Sequence, residues 1–408
     1  MEGVSSYIYI IAACLLVIFS YLFNLVSQKT GIPAVLLLMI SGIGVREILF
    51  FNNASFVVPA NTVELFGILG LIIIVLEAGL DLRISRKKLK LIRNASLSAV
   101  IIFALSAAAC SALLYYFLEE EYMHCLVYAI PLSVVSSAIV IPSISHFEED
   151  KKEFLVYETS FSDIIGIMLF NYIIAGNILK AGNIAIFFGS VILAIALSVA
   201  LSILILFMLT RIRTKIRFFL VFAMLIFLYA GGKMLNLPAL FIILLFGLIV
   251  SNWQIPIFKR LYHYMSFKEV SEVGLLLHAL TAESSFLIRT FFFFIFGLTI
   301  DLRLLIDIEV IFTGTLLVLV LFFIRLIYLR FFLHAHIFPE LFFMPRGLIT
   351  ILLFYSIPQA FKLSKFNSGI LFFVILTTSI IMMIGSISYG RPKLQAINDE
   401  IPIIDHNN

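Results

Sequence analysis

Residues 157–170 read YETSFSDIIGIMLF, and they place two carboxylates within an otherwise apolar helix. Thr159 and Ser160 precede Asp163 by four and three residues, so their hydroxyls lie one turn away on the same helical face. Glu158 precedes Asp163 by five residues and points elsewhere, about 140° round the helix. A carboxylate beside hydroxyls offers hard oxygen ligands to a small cation, and it can bind a proton instead. The stretch therefore predicts a cation and proton exchange site at Asp163, with a separate task for Glu158.

A solvated position at a helix end is the ordinary alternative for these two acids. The apolar run IIGIMLF continues for seven residues after Asp163, which favours a position inside the hydrocarbon region of a membrane. Ionisable groups there are costly and usually mark ion or proton pathways.

The composition is that of a polytopic membrane protein. Of the 408 residues, 62% are hydrophobic and 13% are charged, and the mean hydropathy is +1.14. Soluble domains are roughly 45–50% apolar and 25% charged. The net charge of +4 comes from short basic clusters between apolar runs, which is not the pattern of a nucleic-acid-binding surface. The sequence shows no phosphate-binding glycine loop, triad spacing or metal-ligand cluster, so we expect no enzymatic activity and no cofactor.

A membrane-spanning helix needs about 20 apolar residues, and thirteen segments meet this requirement. They lie at 5–27, 31–50, 63–82, 93–118, 124–145, 154–179, 184–210, 216–232, 235–252, 284–301, 307–332, 339–359 and 367–389. The stretch 254–283 mixes charged and apolar residues, so it is either a connecting or interfacial helix or a fourteenth span. We expect an all-α polytopic membrane protein with about thirteen transmembrane helices in a lipid bilayer.

Basic loops indicate the orientation of these helices. If the loop RISRKKLKLIR at 83–93 is cytoplasmic, alternation places most other Lys and Arg residues on the same side, including the RIRTKIR loop at 211–217. The positive-inside rule then predicts an external N-terminus and a cytoplasmic C-terminus in the cell membrane.

The two halves of the sequence resemble each other. In the second span Gly42 follows Pro33 by nine residues, and in the ninth span Gly247 follows Pro238 by nine residues. LEAGLDLR at the end of the third span likewise matches FGLTIDLR at the end of the tenth. Two six-helix units joined through one additional helix must enter the membrane from opposite sides, as in inverted-repeat transporters. We expect a first repeat at 1–183, a linker helix at 184–215, a second repeat at 216–390 and a short cytoplasmic tail at 391–408.

The fifth and twelfth spans carry matching interruptions. AIPLSVVSSAIVIPSI contains Pro131 and Pro142, and PELFFMPRGLITILLFYSIP contains Pro345 and Gly347. A packing bend explains any single proline, but interruptions at equivalent places in two repeats are where such folds bind ions. We therefore expect two broken helices that cross near the membrane centre, with released carbonyls that help to bind a cation.

Five motifs together resemble the cation/proton antiporter superfamily, specifically its sodium/proton exchanger type, over most of the thirteen spans. They are LEAGLDL at 76–82, SSAIVIP at 136–142, ETSFSD at 158–163, FFFFIFGLTIDL at 291–302 and PRGLITI at 345–351. The resemblance implies a homodimer that exchanges a monovalent cation, Na+ before Li+ or K+, for H+ by alternating access.

The resemblance also implies roles for individual residues. Asp163 is expected to bind the monovalent metal cation and the proton alternately. Thr159 is similar to the family's hydroxyl ligand, and Glu77 is similar to an acid that some members use near the cation. Glu158 and Arg346 resemble the family's structural ion pair between the sixth and twelfth spans.

Two places depart from the superfamily's usual pattern. Ser162 stands where Asn or Asp usually precedes the essential aspartate, and Ser136 and Ser137 stand where the broken fifth span usually reads Thr-Asp-Pro. We include these three hydroxyls in the predicted binding site. With Asp163 as the only acid at this place, the sequence favours electroneutral exchange of one proton for one cation, unless Glu77 also titrates.

Two arginines lie within predicted spans and need partners. Arg289 in the tenth span is expected to pair with Asp163 or another acid when no cation is bound. The alternative is that it reaches the membrane surface from near the start of its span. Arg325 lies deeper, in the eleventh span, and is expected to brace the fold through carbonyls or an acid.

Other functions stay open at the level of sequence. A cation channel or a non-transporting sensor on the same fold is one alternative, although the two broken spans favour a single occluded site over a continuous pore. An organic-anion carrier on a related fold is another, but it would not need Asp163 together with Glu158 and Arg346.

Overall fold

The computed structural model describes residues 2–52, 60–82, 84, 88–144, 147–174, 181–211, 218–234, 239–253, 267–332 and 337–400. These residues form helices and their connections and contain no β-strand, so the fold is all-α, as the sequence predicts. The α-helices are α1 (Glu2–Thr30), α2 (Ala34–Phe51), α3 (Ala60–Asp81), α4 (Leu89–Leu118), α5 (Tyr122–Ser133), α6 (Ser137–Ser143), α7 (Glu149–Ile174), α8 (Ala181–Arg211), α9 (Phe218–Met234), α10 (Ala239–Ser251), α11 (Phe267–Thr299), α12 (Leu302–Leu305), α13 (Ile308–Phe331), α14 (Leu348–Tyr355) and α15 (Ser368–Glu400).

These helices follow the order of the predicted spans. α1 to α4 are the first four, α7 to α11 are the sixth to tenth, and α13 and α15 are the eleventh and thirteenth. Within the described residues, seven segments are long and apolar enough to cross a membrane. The protein is therefore a multi-pass membrane protein.

The fifth and twelfth spans are broken, as their prolines and glycine predict. Non-helical residues 134–136 separate α5 from α6. In the twelfth span, residues 343–347 separate a 3-10 helix from α14. The interruptions contact each other, since the Ser136 N–H donates a hydrogen bond to the Pro345 carbonyl over 2.9 Å. Glycine is needed at position 347 because a Cβ atom there would lie 2.7 Å from Ser136 Oγ.

The tenth span is longer than the sequence predicts. The expected segment is 284–301, whereas α11 begins at Phe267 and ends at Thr299. Residues 267–283 are thus the first turns of this helix and not a separate connecting or interfacial helix, while 254–266 lie outside the described residues. Polar residues such as Glu272 and His278 are exposed on α11. Their charges interrupt the apolar run, so hydropathy alone places the start of the helix too late.

Paired glycines bring two pairs of helices into close contact. A Cβ atom on Gly42 of α2 would lie 3.0 Å from the Cα atom of Gly297 in α11, and one on Gly79 of α3 would lie 3.1 Å from the Cα atom of Gly247 in α10. Small residues allow such backbone approaches between helices in membranes. Gly42 is equivalent to Gly247 in the sequence repeat, and α3 corresponds to α11, so the same repeat relates the two pairs of contacting helices. This relation supports the inverted architecture, whereas the exact repeat boundaries stay a prediction.

The helix contacts fall into two groups. One group contains α4, α5, α7, α13 and α15, and the other contains α1, α2, α3, α10 and α11. α14 contacts α3 as well as α5 and α7, and α7 also contacts α10. α14, which follows the break in the twelfth span, and α7, which carries Asp163, therefore lie where the two groups meet.

Candidate cation and proton site

Asp163 lies within α7 and is buried, with 6% of its surface exposed. Its Oδ2 atom accepts hydrogen bonds from the Ser137 hydroxyl and from the Ser137 N–H, the latter over 3.3 Å. Its Oδ1 atom is buried and has no hydrogen-bond partner among the described residues. No described Lys, Arg or His side chain forms a salt bridge with this carboxylate, unlike the other acids discussed below. A buried carboxylate in such surroundings favours a bound proton or cation.

The break in the fifth span positions the donors to Asp163. Ser137 is the first residue of α6, and N–H groups in the first turn of a helix lack acceptors within that helix. The same break is tied to α7 by Ser162, whose Oγ accepts a hydrogen bond from the Val135 N–H over 3.0 Å. The structure thus brings two of the predicted serines to Asp163, one as its donor and one as a support for the non-helical linker.

A cavity of about 20 Å³ lies beside Asp163. Its polar lining residues are Ser137, Ser160 and Asp163, and its apolar lining residues are Ile74, Val75, Ala78, Ile164, Ile167, Met168, Leu240, Phe241 and Leu244. A cavity that holds one water molecule has a volume of roughly 10–15 Å³. The cavity therefore has room for a single small particle next to three oxygen-bearing side chains in an otherwise apolar wall.

Two other predicted hydroxyl ligands lie away from this cavity lining. The Thr159 hydroxyl donates a hydrogen bond to the Leu155 carbonyl over 2.8 Å. Its neighbour Ser160 lines the cavity instead. Ser136 Oγ is buried beside Gly347. Helical spacing does not distinguish Thr159 from Ser160, because both lie one turn before Asp163.

Glu158 pairs with Arg325, so the predicted pairing of Glu158 with Arg346 is wrong. Arg325 donates from Nη1 to Glu158 Oε1 over 2.9 Å and from Nη2 to Oε2 over 2.7 Å. Both side chains are buried, and the Ser98 hydroxyl donates a third hydrogen bond over 3.0 Å. Arg325 also donates from Nε to the Glu340 carbonyl over 2.9 Å, so it braces the fold through both an acid and a carbonyl. The sequence places Arg325 and Arg346 in predicted spans, and no local pattern indicates which of them pairs with Glu158.

Arg346 instead binds carbonyls of both broken helices. It donates from Nε to the Leu132 carbonyl over 2.7 Å and from Nη1 to the Met344 carbonyl over 2.5 Å. Its backbone N–H donates to Thr378 Oγ1 over 3.1 Å. Leu132 lies in the last turn of α5, where carbonyls have no partner within the helix. Arg346 therefore joins the two broken helices through their backbone carbonyls.

Arg289 pairs with Glu77 and not with Asp163. It donates from Nη1 to Glu77 Oε2 over 2.8 Å, and the Ser285 hydroxyl donates to the same oxygen. Because α11 begins at Phe267, Arg289 lies well inside its helix and does not reach for a membrane surface. Ser285 was identifiable from its position four residues before Arg289, which places both side chains on one face. Ser98 is one of four serines in α4, and no charged residue one turn away distinguishes it.

Glu77 has a different setting from the one that the family resemblance implies. Its carboxylate is engaged by α11, and the α3 residues that line the cavity are its neighbours Ile74, Val75 and Ala78. A role of Glu77 in cation binding therefore stays a prediction.

Crossed broken helices with a buried, unneutralised carboxylate beside a cavity for one small particle define a membrane transporter of small ions. The family model described as sodium/hydrogen exchanger, transmembrane, matches residues 14–387 of the chain. The protein belongs to the sodium/hydrogen exchanger family, and by class it is a cation/proton antiporter and not an enzyme.

Solved structures of the sodium proton antiporter MjNhaP1 from Methanocaldococcus jannaschii are similar in fold. A structure at pH 8 has 18% sequence identity and a TM-score of 0.67, and the match covers 95% of this chain and 99% of that chain. An electron microscopy structure of the same antiporter has 18% identity and a TM-score of 0.67 and covers 97% of this chain and 98% of that one. At this identity the likeness supports the fold alone. A comparison with curated proteins gave no match.

Proposed function

We propose that this protein exchanges Na+, or another monovalent cation such as Li+ or K+, for H+ across the cell membrane by alternating access. Asp163 binds the cation and the proton in turn. The observation that carries this proposal is the buried Asp163 carboxylate, whose Oδ1 atom has no partner in the described part of the chain. A buried charge of this kind is strongly unfavourable unless it is compensated. Because the cation and the proton compete for this one carboxylate, the transport of one is coupled to the transport of the other.

The size of the cavity supports a small inorganic cation as the substrate. A cavity of about 20 Å³ accommodates one water-sized particle, whereas pockets for organic ligands are typically on the order of 300–1,000 Å³. An organic anion would also be repelled by the Asp163 carboxylate. These two observations disfavour an organic-anion carrier.

The charge at the site favours electroneutral exchange. One carboxylate neutralises one monovalent cation or one proton, and Ser162 carries no charge beside it. Each transport cycle then moves one positive charge in each direction. Glu77 is paired with Arg289 at 2.8 Å, which removes it from the proposed proton stoichiometry.

The external N-terminus and cytoplasmic C-terminus are part of the proposal. The salt bridge of Arg46 with Asp301, at 2.9 Å, joins ends of α2 and α11 that alternation assigns to the external side. The salt bridge of Lys151 with Glu340, at 3.8 Å, joins ends that alternation assigns to the cytoplasmic side. These contacts support the alternation of the helices, and the basic loops support its direction. A homodimer remains a prediction from the family resemblance.

The test is proton flux in liposomes that contain the purified protein and an internal pH-sensitive dye. A Na+ pulse outside should drive proton efflux in the wild type. Asp163→Asn keeps the size of the side chain and removes its charge, so it should abolish this flux. Glu309→Gln is the matched control, because it removes an equivalent charge from an exposed position at the start of α13. Size-exclusion chromatography should show that both variants are folded.

Three outcomes would contradict the proposal. Flux at the wild-type rate in Asp163→Asn would remove the role of Asp163. Cation flux by the wild type without proton movement would indicate a channel. Absence of flux with Na+, Li+ and K+ in folded wild-type protein would indicate a sensor.

A further inference from the structure

We propose that Ser160, in place of Thr159, supplies the hydroxyl ligand to the transported cation in this protein. The inference deepens the proposed function and rests on it, because it concerns the cation that Asp163 binds. Thr159 and Ser160 are adjacent on α7 and both lie one turn before Asp163. Their hydroxyls nevertheless have different surroundings.

The Thr159 hydroxyl is directed to the backbone of its own helix. It donates to the Leu155 carbonyl over 2.8 Å and lies 3.3 Å from the Val156 carbonyl. Such bonds to carbonyls three or four residues earlier are common for threonine within helices. They satisfy the polar group without any bound ion, so the burial of Thr159 needs no further explanation.

The Ser160 hydroxyl has no such bond. It is 1% exposed, and its Oγ atom lacks a hydrogen-bond partner among the residues that the structure describes. Buried side-chain polar atoms in native proteins are nearly always hydrogen-bonded. Ser160 lines the cavity together with Asp163, so both residues that carry an unpartnered oxygen border the same small space.

These oxygens form a donor set for a small alkali cation. Asp163 contributes the one negative charge, and Ser160 contributes a neutral hydroxyl oxygen. The Ser137 hydroxyl donates a hydrogen bond to Asp163 Oδ2. Its oxygen retains lone pairs that can face a cation. A cavity of about 20 Å³ limits the size of the ion. This set therefore suits a single monovalent cation that has lost its hydration shell.

The chemistry of a hydroxyl separates Ser160 from Asp163 in function. A serine hydroxyl does not ionise near neutral pH as a carboxyl group can, so Ser160 contacts the cation but does not carry the transported proton. Loss of this hydroxyl should weaken cation binding and leave the proton-loaded half of the cycle intact. Such a defect appears as a higher KM for the cation with little change in kcat.

The experiment compares Ser160→Ala with Thr159→Val in the liposome flux assay. Both variants remove one buried hydroxyl at the same level of α7, and valine retains the branched shape of threonine. We expect the KM for Na+ to rise about tenfold in Ser160→Ala, as losses of ligand interactions commonly cause, with kcat within about twofold of the wild type. The KM in Thr159→Val should stay near the wild-type value.

A binding measurement covers the case in which Ser160→Ala transports too slowly. Ser160→Cys replaces the hard oxygen with a soft sulfur of similar shape, and Na+ should raise the unfolding temperature of the wild type and Thr159→Val more than that of Ser160→Cys. An unchanged KM and an unchanged Na+-dependent stabilisation in the Ser160 variants would overturn the inference. A raised KM in Thr159→Val, alone or together with Ser160→Ala, would also overturn it.

Failure of this inference is distinguishable from failure of the proposed function. A wild-type KM in Ser160→Ala, with Asp163→Asn inactive, removes only the role of Ser160. Full activity of Asp163→Asn removes the exchange site itself.

Discussion

Glu158 and Asp163 lie five residues apart on one helix, yet the regions around them differ in kind. The Glu158 carboxylate meets Arg325 through two hydrogen bonds of 2.9 and 2.7 Å and meets Ser98 through a third. The Asp163 carboxylate meets only the donors of Ser137 among the described residues. A carboxylate that forms a fixed ion pair with an arginine is already neutralised, whereas a carboxylate without such a partner is available to bind a transported ion. The comparison separates a structural acid from a transport acid on the same helix.

The neighbouring elements explain this difference. Glu158 receives its partners from α4 and α13, which are continuous helices whose side chains supply Ser98 and Arg325. Asp163 faces the interruption between α5 and α6, where the chain offers only the N–H and hydroxyl of Ser137. At Glu158 continuous helices supply a fixed counter-charge, whereas at Asp163 the break between α5 and α6 supplies neutral donors beside a cavity.

The largest expected effect concerns the stability of the Glu158 pair. Glu158→Gln or Arg325→Met each leaves a buried charge without its partner, so each should lower the free energy of unfolding by about 3–5 kcal/mol. The double variant should lose less than the sum of the two single variants, because no unpaired charge then remains. Unfolding in detergent by heat or denaturant measures the three values.

A second cycle with Glu158→Gln and Arg346→Met is the control for this prediction. Arg346 contacts carbonyls and not Glu158, so its effects should add to those of Glu158→Gln. Coupling in this second cycle and additivity in the first would restore the pairing that the sequence predicts.

A smaller effect of opposite sign is expected at Asp163. Asp163→Asn removes a buried charge that has no fixed counter-charge in the described structure, so without Na+ it should leave stability unchanged or raise it by about 1 kcal/mol. Thermal unfolding in a choline buffer measures this change, and added Na+ should stabilise the wild type but not the variant. A loss as large as that of Glu158→Gln would show that Asp163 is a structural acid as well.

The smallest effect is expected at Glu77, whose setting lies between those of the other two acids. Its salt bridge with Arg289 is 2.8 Å long, but the two side chains retain 16% and 15% exposure. Glu77→Gln should therefore lower the free energy of unfolding by only about 0.5 kcal/mol. The KM for Na+ should stay within about twofold of the wild type, because Glu77 is already neutralised. Flux at a series of Na+ concentrations measures the KM.

The dependence of the equilibrium Na+ gradient on membrane potential tests whether Glu77 also carries a proton. With a potassium–valinomycin clamp, the equilibrium Na+ gradient at fixed pH difference should not change with membrane potential if Asp163 is the only titrating acid. A change that disappears in Glu77→Gln would make Glu77 a second proton carrier, and a large rise in KM would make it a cation ligand, as the family resemblance implies.

The sequence by itself determined the class of fold and the central residue. Apolar runs, prolines and glycines act through local chain properties, so the helical spans, the breaks at 134–136 and 343–347, and the burial of Asp163 follow from the order of residues. The matching spacing of Pro33 to Gly42 and of Pro238 to Gly247 also revealed the repeat, because close helix contacts restrict the residue size at Gly42 and Gly247. The start of α11 was misplaced, because exposed polar residues there interrupt the apolar pattern of a continuous helix.

The tertiary structure alone decided which partner each buried polar group meets. Glu158 and Arg325 are separated by 167 positions in the chain, and no local pattern favours Arg325 over Arg346. Thr159 and Ser160 are equally placed by helical geometry, but only packing against α3 and α10 directs one of them to the cavity beside Asp163. Ion pairing and ligand geometry depend on distances of a few ångströms between helices that are remote in sequence. Those distances are set by how the whole bundle packs.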